Sequence, residues 1–170
     1  MKKSTIKPCG ATPEVISNLA ERVGTTLGFK PGDPLEPIIE RLRGTIKYFP
    51  LAGAGSRQAS ITVERGGKFT LRLSAAIFPL QKRVSMAHEL GHLFLHSRYG
   101  EVEFEAFHDV ESENEQAESE AREFAYAFLM PTNELRQVMQ DVGDDSTAVA
   151  AFFMVPEPIA RQRMQDVANR

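Results

Sequence analysis

The sequence predicts an α+β fold in which helices precede and follow a small β-sheet. Before residue 43 and after residue 79, apolar residues recur every three or four positions, which is the spacing of one helix face. Between these regions, two short runs alternate apolar and polar residues, as half-buried strands do. A length of 170 residues with 42% hydrophobic content supports one domain with a real core, or one core with a small appendage.

Two helices are predicted in the N-terminal region. The first begins at Thr12-Pro13 and ends at Gly28. Its apolar stripe consists of Ile16, Leu19, Ala20, Val23 and Leu27. The second follows the capping-box pattern Asp33-Pro34-Leu35-Glu36 and is expected to be closed by Gly44.

The sheet is predicted from three short segments. Residues 46–49 are expected to form a strand. Residues 61–64 and 69–73 alternate apolar and polar side chains on either side of Arg65-Gly66-Gly67-Lys68, which predicts a hairpin. The sheet is therefore antiparallel or mixed, and the Gly- and Ala-rich residues 53–56 are predicted to form a loop.

The pentapeptide His88-Glu89-Leu90-Gly91-His92 lies in a predicted helix over 80–96 that starts at Pro79 or just after it. Positions i and i+4 share one helix face, so His88 and His92 can hold a metal ion between them, with Glu89 placed to act as a base. A chance match to this short pattern is the alternative. Gly91 costs about 1 kcal/mol relative to Ala in a helix, which predicts that another element packs closely there.

A catalytic zinc ion normally has three protein ligands, so a third ligand is needed. Residues 118–130 are predicted to form a second helix that stops at Pro131. Glu118 is the preferred third ligand because it shares its face with alanines that permit close approach, and Glu120 is the second choice. His96 is interpreted as a polar helix end or a group that supports a ligand, with a ligand role as the alternative.

These residues resemble the ImmA/IrrE family of zinc metallopeptidases, which are anti-repressors and regulators of DNA-damage responses. The similarity lies in His-Glu-Leu-Gly-His-Leu-Phe-Leu-His and in Glu-x-x-Ala-x-x-Phe-Ala-x-x-x-Leu-Met-Pro, between about Gln81 and Pro131. The resemblance implies a zincin-like, gluzincin-type domain with Zn²⁺ held by His88, His92 and Glu118, and with Glu89 as the catalytic base. Mn²⁺ is the alternative metal. Arg122 departs from the pattern, since many members have Asn there.

The resemblance also implies a function. The chain would be a zinc-dependent endopeptidase that cleaves a helix-turn-helix transcriptional repressor and thereby relieves repression. The alternative is a regulatory protein that binds or sequesters a repressor without cutting it. Glu89 argues against the alternative, because a purely structural zinc site needs no general base.

Candidate substrate contacts rest on analogy with zincins, in which an edge strand holds the substrate as an added strand. The strand over 69–73 is the candidate here, through Phe69, Thr70 and Leu71. His108 lies in a connecting loop predicted over 97–112 and is a further candidate. Tyr126 is a possible transition-state donor, although a place in the core is favoured for it.

The C-terminal region is predicted to be helical. Apolar residues after Pro131 predict one helix, and residues 148–154 and 159–167 predict two more in a helix-turn-helix-like hairpin. We expect a metallopeptidase domain over 1–131 and a helical extension over 132–170 packed on it. Direct DNA binding is not expected, because the last helix offers only Arg161, Arg163 and Arg170 as basic residues.

Composition favours a cytoplasmic protein. The apolar runs are shorter than the ~20 residues of a membrane span. The basic N-terminus lacks the apolar core of a signal peptide, and Cys9 has no second cysteine with which to form a disulfide. The net charge is −3, and residues 101–123 contain ten acidic side chains and one basic side chain. This acidic stretch is interpreted as a solvated loop, or alternatively as a rim that attracts basic substrates. The oligomeric state is left open.

Overall fold

The computed structural model describes residues 6–50, 59–100, 104–107 and 114–170, with the backbone alone for 104–107. The fold is α+β, as the sequence predicts. The helices are α1 Pro13–Thr26, α2 Glu36–Arg41, α3 Pro79–Gly91, α4 Glu115–Leu129, α5 Thr132–Val142, α6 Ser146–Phe153 and α7 Glu157–Ala168, and α3 continues directly into a π-helical turn, His92–His96. The strands are β1 Gly44–Phe49, β2 Ala59–Val63, β3 Phe69–Ser74 and β4 Phe104–Phe107.

The first helix forms as predicted, but the start of the second does not. The hydroxyl of Thr12 caps α1 by accepting from the Val15 amide. The carboxylate of Asp33 instead accepts from the Lys30 amide and closes a turn, and α2 begins without a side-chain cap. Gly44 is the first residue of β1 and does not close α2. A Cβ at this position would overlap the Phe69 ring, which explains the glycine.

The four strands form one mixed sheet in the order β1-β3-β2-β4. The predicted hairpin is present, with β2 and β3 antiparallel, whereas β1 runs parallel to β3. β4 pairs antiparallel with β2, so part of the segment predicted as a loop over 97–112 is a strand. The sequence did not predict β4, because the alternation of apolar and polar residues extends over only Phe104-Glu105-Ala106-Phe107 and lies among many acidic residues.

The prediction that residues 69–73 form an edge strand is wrong. β3 lies inside the sheet, where Thr70 is paired with Thr45 of β1 on one side and with Thr62 of β2 on the other. Phe69 and Leu71 are buried. Because neighbouring strands take the backbone groups on both sides, an added peptide cannot pair with β3. In the described part of the chain, the edges of the sheet are β1 and β4.

Helices α3 and α4 pack closely where Gly91 faces Ala121. A Cβ on Gly91 would lie 2.9 Å from the Ala121 carbonyl oxygen and 3.0 Å from its Cα. This confirms the expectation that another element lies against the glycine. The close approach places the first two turns of α4 beside His88 of α3 and His92 of the π-helical turn.

The C-terminal helices pack against the rest of the molecule through a buried arginine of α7. Arg163 is fully buried, and its guanidinium donates to the Met130 carbonyl at 3.3 Å. The same group forms ion pairs with Glu123 at 3.4 Å and Glu21 at 3.5 Å. Arg163 therefore joins α7 to α1, to α4 and to Met130, the residue that follows α4. Among the described helices, none is both long and apolar enough to cross a membrane.

Candidate metal centre

The structure brings His88, His92 and Glu118 together. Their ligand atoms all lie within 4.8 Å of one another. Nε2 of His88 is 3.0 Å from Oε2 of Glu118, and Nε2 of His92 is 3.4 Å from Oε1 of the same carboxylate. The two histidines lie on one face because α3 and the following turn are continuous, and Glu118 reaches them because α4 packs against Gly91.

These distances fit a metal ion. A zinc ion with ligands at about 2.0–2.2 Å in tetrahedral geometry separates its ligand atoms by roughly 3.3–3.6 Å, close to the separations seen here. Two imidazoles and one carboxylate also form the donor set of many catalytic zinc sites. Residues His88, His92 and Glu118 are thus a group that could bind a metal ion.

A cleft of about 260 Å³ opens beside this group. Glu89, which is fully buried, and His88 both contribute to its wall. The remaining lining residues are Ala59, Gln81, Val84, Ser85, Arg122, Tyr126 and Ile159. A molecule in this cleft would therefore meet the carboxylate of Glu89 and the candidate ligand His88 at the same time.

Three of the cleft residues refine the sequence interpretation. Tyr126 is partly buried against the core and also lines the cleft, so both roles considered for it are sterically open. Arg122 lines the cleft because it lies one helical turn after Glu118, a spacing that the sequence already contained. Ile159 comes from α7 and was not foreseen, since no local pattern links it to residues some seventy positions earlier.

Other candidates lie elsewhere. Phe69, Thr70 and Leu71 are in the interior strand β3 and are not among the residues that line the cleft. His108 lies outside the described residues. Glu120, the second choice for the third ligand, points to the opposite side of α4 and contacts His96 and the N-terminal segment.

His96 contacts one of the candidate metal ligands, His92. Its Nδ1 lies 2.8 Å from Nδ1 of His92, and its Nε2 lies 3.0 Å from Oε2 of Glu120. Burial lowers the pKa of His92 to about 4 and also lowers the pKa of His96, so both rings favour the neutral form. Burial alone would raise the pKa of Glu120, but hydrogen bonds from His96 and from the Cys9 and Gly10 amides outweigh it and lower this pKa to about 2.

The pairing of His92 with His96 occurs in the π-helical turn that follows α3. The Ser97 amide donates to the His92 carbonyl at 3.1 Å, which is the five-residue spacing of a π-helix. The Ser97 hydroxyl donates to the Leu93 carbonyl. Such turns are rare and often lie at functional sites. The sequence predicted an ordinary helix here and gave no sign of the wider turn.

Comparison with known proteins shows the family of this chain. Residues 40–165 match the peptidase M78 family, described as the IrrE N-terminal-like domain. The chain belongs to this ImmA/IrrE family. The resemblance drawn from its motifs is therefore confirmed, and the residues gathered at the candidate metal centre all lie within the matched region.

A solved structure shares the fold. A Mycobacterium tuberculosis transcriptional regulator is similar with a TM-score of 0.63 and 17% sequence identity, over 89% of this chain and 47% of that one. This chain thus spans about half the length of that protein. No curated protein matches the chain.

Proposed function

We propose that this ImmA/IrrE family member is a zinc-dependent endopeptidase with a zincin-like active site. The observation that carries the proposal is the placement of Glu89 in the same cleft wall as His88, beside the three-residue group that could bind a metal. A structural metal site would not need a buried carboxylate that faces a cleft. His88, His92 and Glu118 would hold the ion.

The chemistry divides between the ion and the protein. When bound, a zinc ion supplies Lewis acidity that polarises a carbonyl and makes water a better nucleophile. Glu89 would accept a proton from the attacking water and deliver it to the leaving amine. Its full burial holds the carboxylate in place and keeps bulk water from competing for the proton. Arg122 and Tyr126 line the same cleft and would be available as hydrogen-bond donors to a peptide bound there.

The sheet supplies a route for an extended substrate. Phe107 of β4 is paired with Ser60 of β2, which follows the cleft residue Ala59. Among the described residues, β4 pairs on one side only, so a peptide lying along its other side could add to the sheet. This edge replaces the interior strand β3 as the proposed substrate platform. Main-chain pairing holds a peptide with little dependence on its sequence, so specificity would come from the cleft.

The proposed substrate is a helix-turn-helix transcriptional repressor, and cleavage would relieve its repression. Two points support a role in transcription: the motifs resemble those of anti-repressor peptidases, and the M. tuberculosis protein with this fold is described as a transcriptional regulator. Cleavage requires only one extended segment of the repressor to enter the cleft.

The test compares the wild type with Glu89→Gln in cells that co-express a helix-turn-helix repressor encoded beside the gene. The wild type should yield two discrete repressor fragments. Glu89→Gln should retain zinc but cut roughly 10²–10⁴-fold more slowly, because only proton transfer is removed. Glu134→Gln, at an exposed position of α5, is the matched control and should cut like the wild type.

Two results would reject the proposed mechanism. Cleavage by Glu89→Gln at the wild-type rate would show that Glu89 is not the base. Tight repressor binding by both proteins without any fragments would favour the non-cleaving, sequestering function instead.

A further inference from the structure

The carboxylate of Glu120 is saturated with hydrogen bonds. Its Oε2 accepts from the Cys9 amide at 2.7 Å and lies 3.0 Å from Nε2 of His96. Its Oε1 accepts from the Gly10 amide at 2.9 Å and from Nε2 of Gln116 at 3.0 Å. An ionised carboxylate offers about four acceptor sites and no donor, so all of them are in use here. Glu120 is therefore a pure acceptor, and Nε2 of His96 must carry the hydrogen between them.

The hydrogen on Nε2 of His96 determines the tautomer of His92. A neutral His96 with hydrogen on Nε2 has a lone pair on Nδ1. Nδ1 of His92 lies 2.8 Å from this lone pair, and the contact needs one hydrogen, which must come from His92. His92 then carries its hydrogen on Nδ1 and its lone pair on Nε2. Nε2 is the atom that lies 3.4 Å from Glu118 in the metal-binding group.

We propose that Glu120 and His96 are positioning residues that, anchored by the backbone of Cys9 and Gly10, hold His92 in the ring orientation and tautomer that bind metal. Three elements meet in this chain of hydrogen bonds: the N-terminal segment, α4 and the π-helical turn. Each link in this chain is a contact of 3.0 Å or less between nitrogen and oxygen or between two nitrogen atoms. Groups that support metal ligands in this way typically change metal affinity by about 10–100-fold when removed.

The N-terminal anchor of Glu120, formed by the amides of Cys9 and Gly10, lies outside the region that matches the family, which begins at residue 40. It is built into this chain by specific contacts. The Asn114 side chain donates to the Ile6 carbonyl, and Gly10 adopts a positive φ of 72° that turns two successive amides toward Glu120. Residues before α1 therefore reach the metal-binding group through two side chains.

The first test measures zinc affinity by chelator competition, a readout that needs no substrate. His96→Phe keeps the ring shape but loses both nitrogen atoms, and should raise the dissociation constant for zinc by about 10–100-fold. His96→Gln retains one acceptor and one donor in the same side chain, so it should restore affinity to within about tenfold of the wild type. Glu120→Gln should weaken binding, because an amide cannot accept from all four donors.

Glu123→Gln is the matched control, since it makes the same change on the same helix. Glu123 bonds Ser17 and pairs with Arg163 and Arg170, away from the histidines. Its variant should bind zinc like the wild type even if it unfolds more easily. Equal losses of affinity in Glu120→Gln and Glu123→Gln, or no loss in His96→Phe and Glu120→Gln, would overturn the proposal.

A matched pair of glycines tests the N-terminal anchor. Gly10 and Gly28 have φ values of +72° and +67°, and a Cβ at either would meet nothing within 4 Å. Alanine therefore strains the backbone about equally at both positions. Gly10→Ala should weaken zinc binding because it shifts an amide that bonds Glu120, whereas Gly28→Ala should not. Equal zinc affinity in the two variants would reject the anchor.

A spectroscopic measurement on the zinc-loaded wild type reads the tautomers directly. Long-range ¹H–¹⁵N correlations should show hydrogen on Nδ1 of His92 and on Nε2 of His96. Hydrogen on Nδ1 of His96 would overturn the proposal. This inference rests on the proposed metal site, and different results would refute the two. A wild type that binds no zinc would refute the metal site. Zinc affinity that is unchanged by substitution of His96 and Glu120 would refute only their positioning role.

Discussion

At the scale of single residues, two carboxylates of α4 that are two positions apart have opposite surroundings. Glu118 faces His88 and His92, and Glu120 faces His96 and the N-terminal backbone. A separation of two positions on a helix turns the second side chain by about 200°, so the two cannot share a partner. Glu118 therefore lies in the candidate metal centre, and Glu120 contacts the histidine that lies against it.

This division predicts different metal contents for ligand variants. His88→Ala and His92→Ala should lose bound zinc, because each removes one of two nitrogen ligands. Glu118→Ala should retain a weakened site, in which water can replace the carboxylate. Elemental analysis of the purified proteins, beside the wild type with about one zinc per chain, measures this directly. Full zinc content in Glu118→Ala would show that a different carboxylate completes the site.

At the scale of elements, the contact of α3 with α4 places Glu118, the proposed third ligand, beside the histidines. Gly91 lies where a Cβ would meet the backbone of Ala121, and backbone cannot rotate out of the way as a side chain can. The two helices can approach this closely only because position 91 has no side chain. The position of Glu118 relative to His88 thus depends on Gly91, a residue without a functional group.

Gly91→Ala should therefore destabilise the fold and weaken the metal site together. Overpacking of this kind typically costs about 1–3 kcal/mol, which outweighs the gain of up to about 1 kcal/mol in helix propensity. Denaturant unfolding of the metal-free protein gives the first quantity, and chelator competition gives the second.

Gly24→Ala is the control for helix propensity. Gly24 also lies inside a helix, but its added Cβ would meet only the Phe128 ring, at 3.7 Å, an ordinary contact distance. That variant should be as stable as the wild type or more stable, with unchanged zinc affinity. A Gly91→Ala protein that behaved in the same way would show that the helices can separate without cost to the site.

At the scale of the whole molecule, the C-terminal helices contribute both to the core and to the cleft. Ile159 of α7 lines the cleft, and Arg163 of the same helix is buried among carboxylates of α1 and α4. Arg161 pairs with Glu157 on its own helix, and Arg170 pairs with Glu123. The three arginines weighed for DNA contact are thus engaged within the chain. The division into residues 1–131 and 132–170 stays a prediction, as does the absence of direct DNA binding.

Arg163→Met should destabilise the protein by about 3–5 kcal/mol, because two carboxylates and the Met130 carbonyl lose a buried partner. Arg161→Met, on the exposed side of the same helix, should change stability by less than about 1 kcal/mol. Urea unfolding of both metal-free variants tests the difference. Similar midpoints for the two would mean that α7 is not held to the rest of the molecule by this arginine.

The sequence alone determined the features that depend on local spacing. Helix periodicity, the Gly-Gly hairpin turn and the i, i+4 histidines follow from geometry within a few residues, and the structure contains each of them. Glu118 could be chosen over Glu120 because the alanines on its face predicted close packing, and Gly91 predicted the same contact from the other helix.

The tertiary structure alone decided everything that depends on which elements become neighbours. The pattern in residues 69–73 predicted a strand. Only the pairing of this strand with both β1 and β2 shows that it lies inside the sheet and cannot pair with a peptide. The contacts of Glu120 with Cys9 and Gly10 join positions about 110 residues apart, and Ile159 reaches the cleft from the last helix. Such contacts arise from packing of whole elements, and a pattern confined to one segment contains no information about its partner.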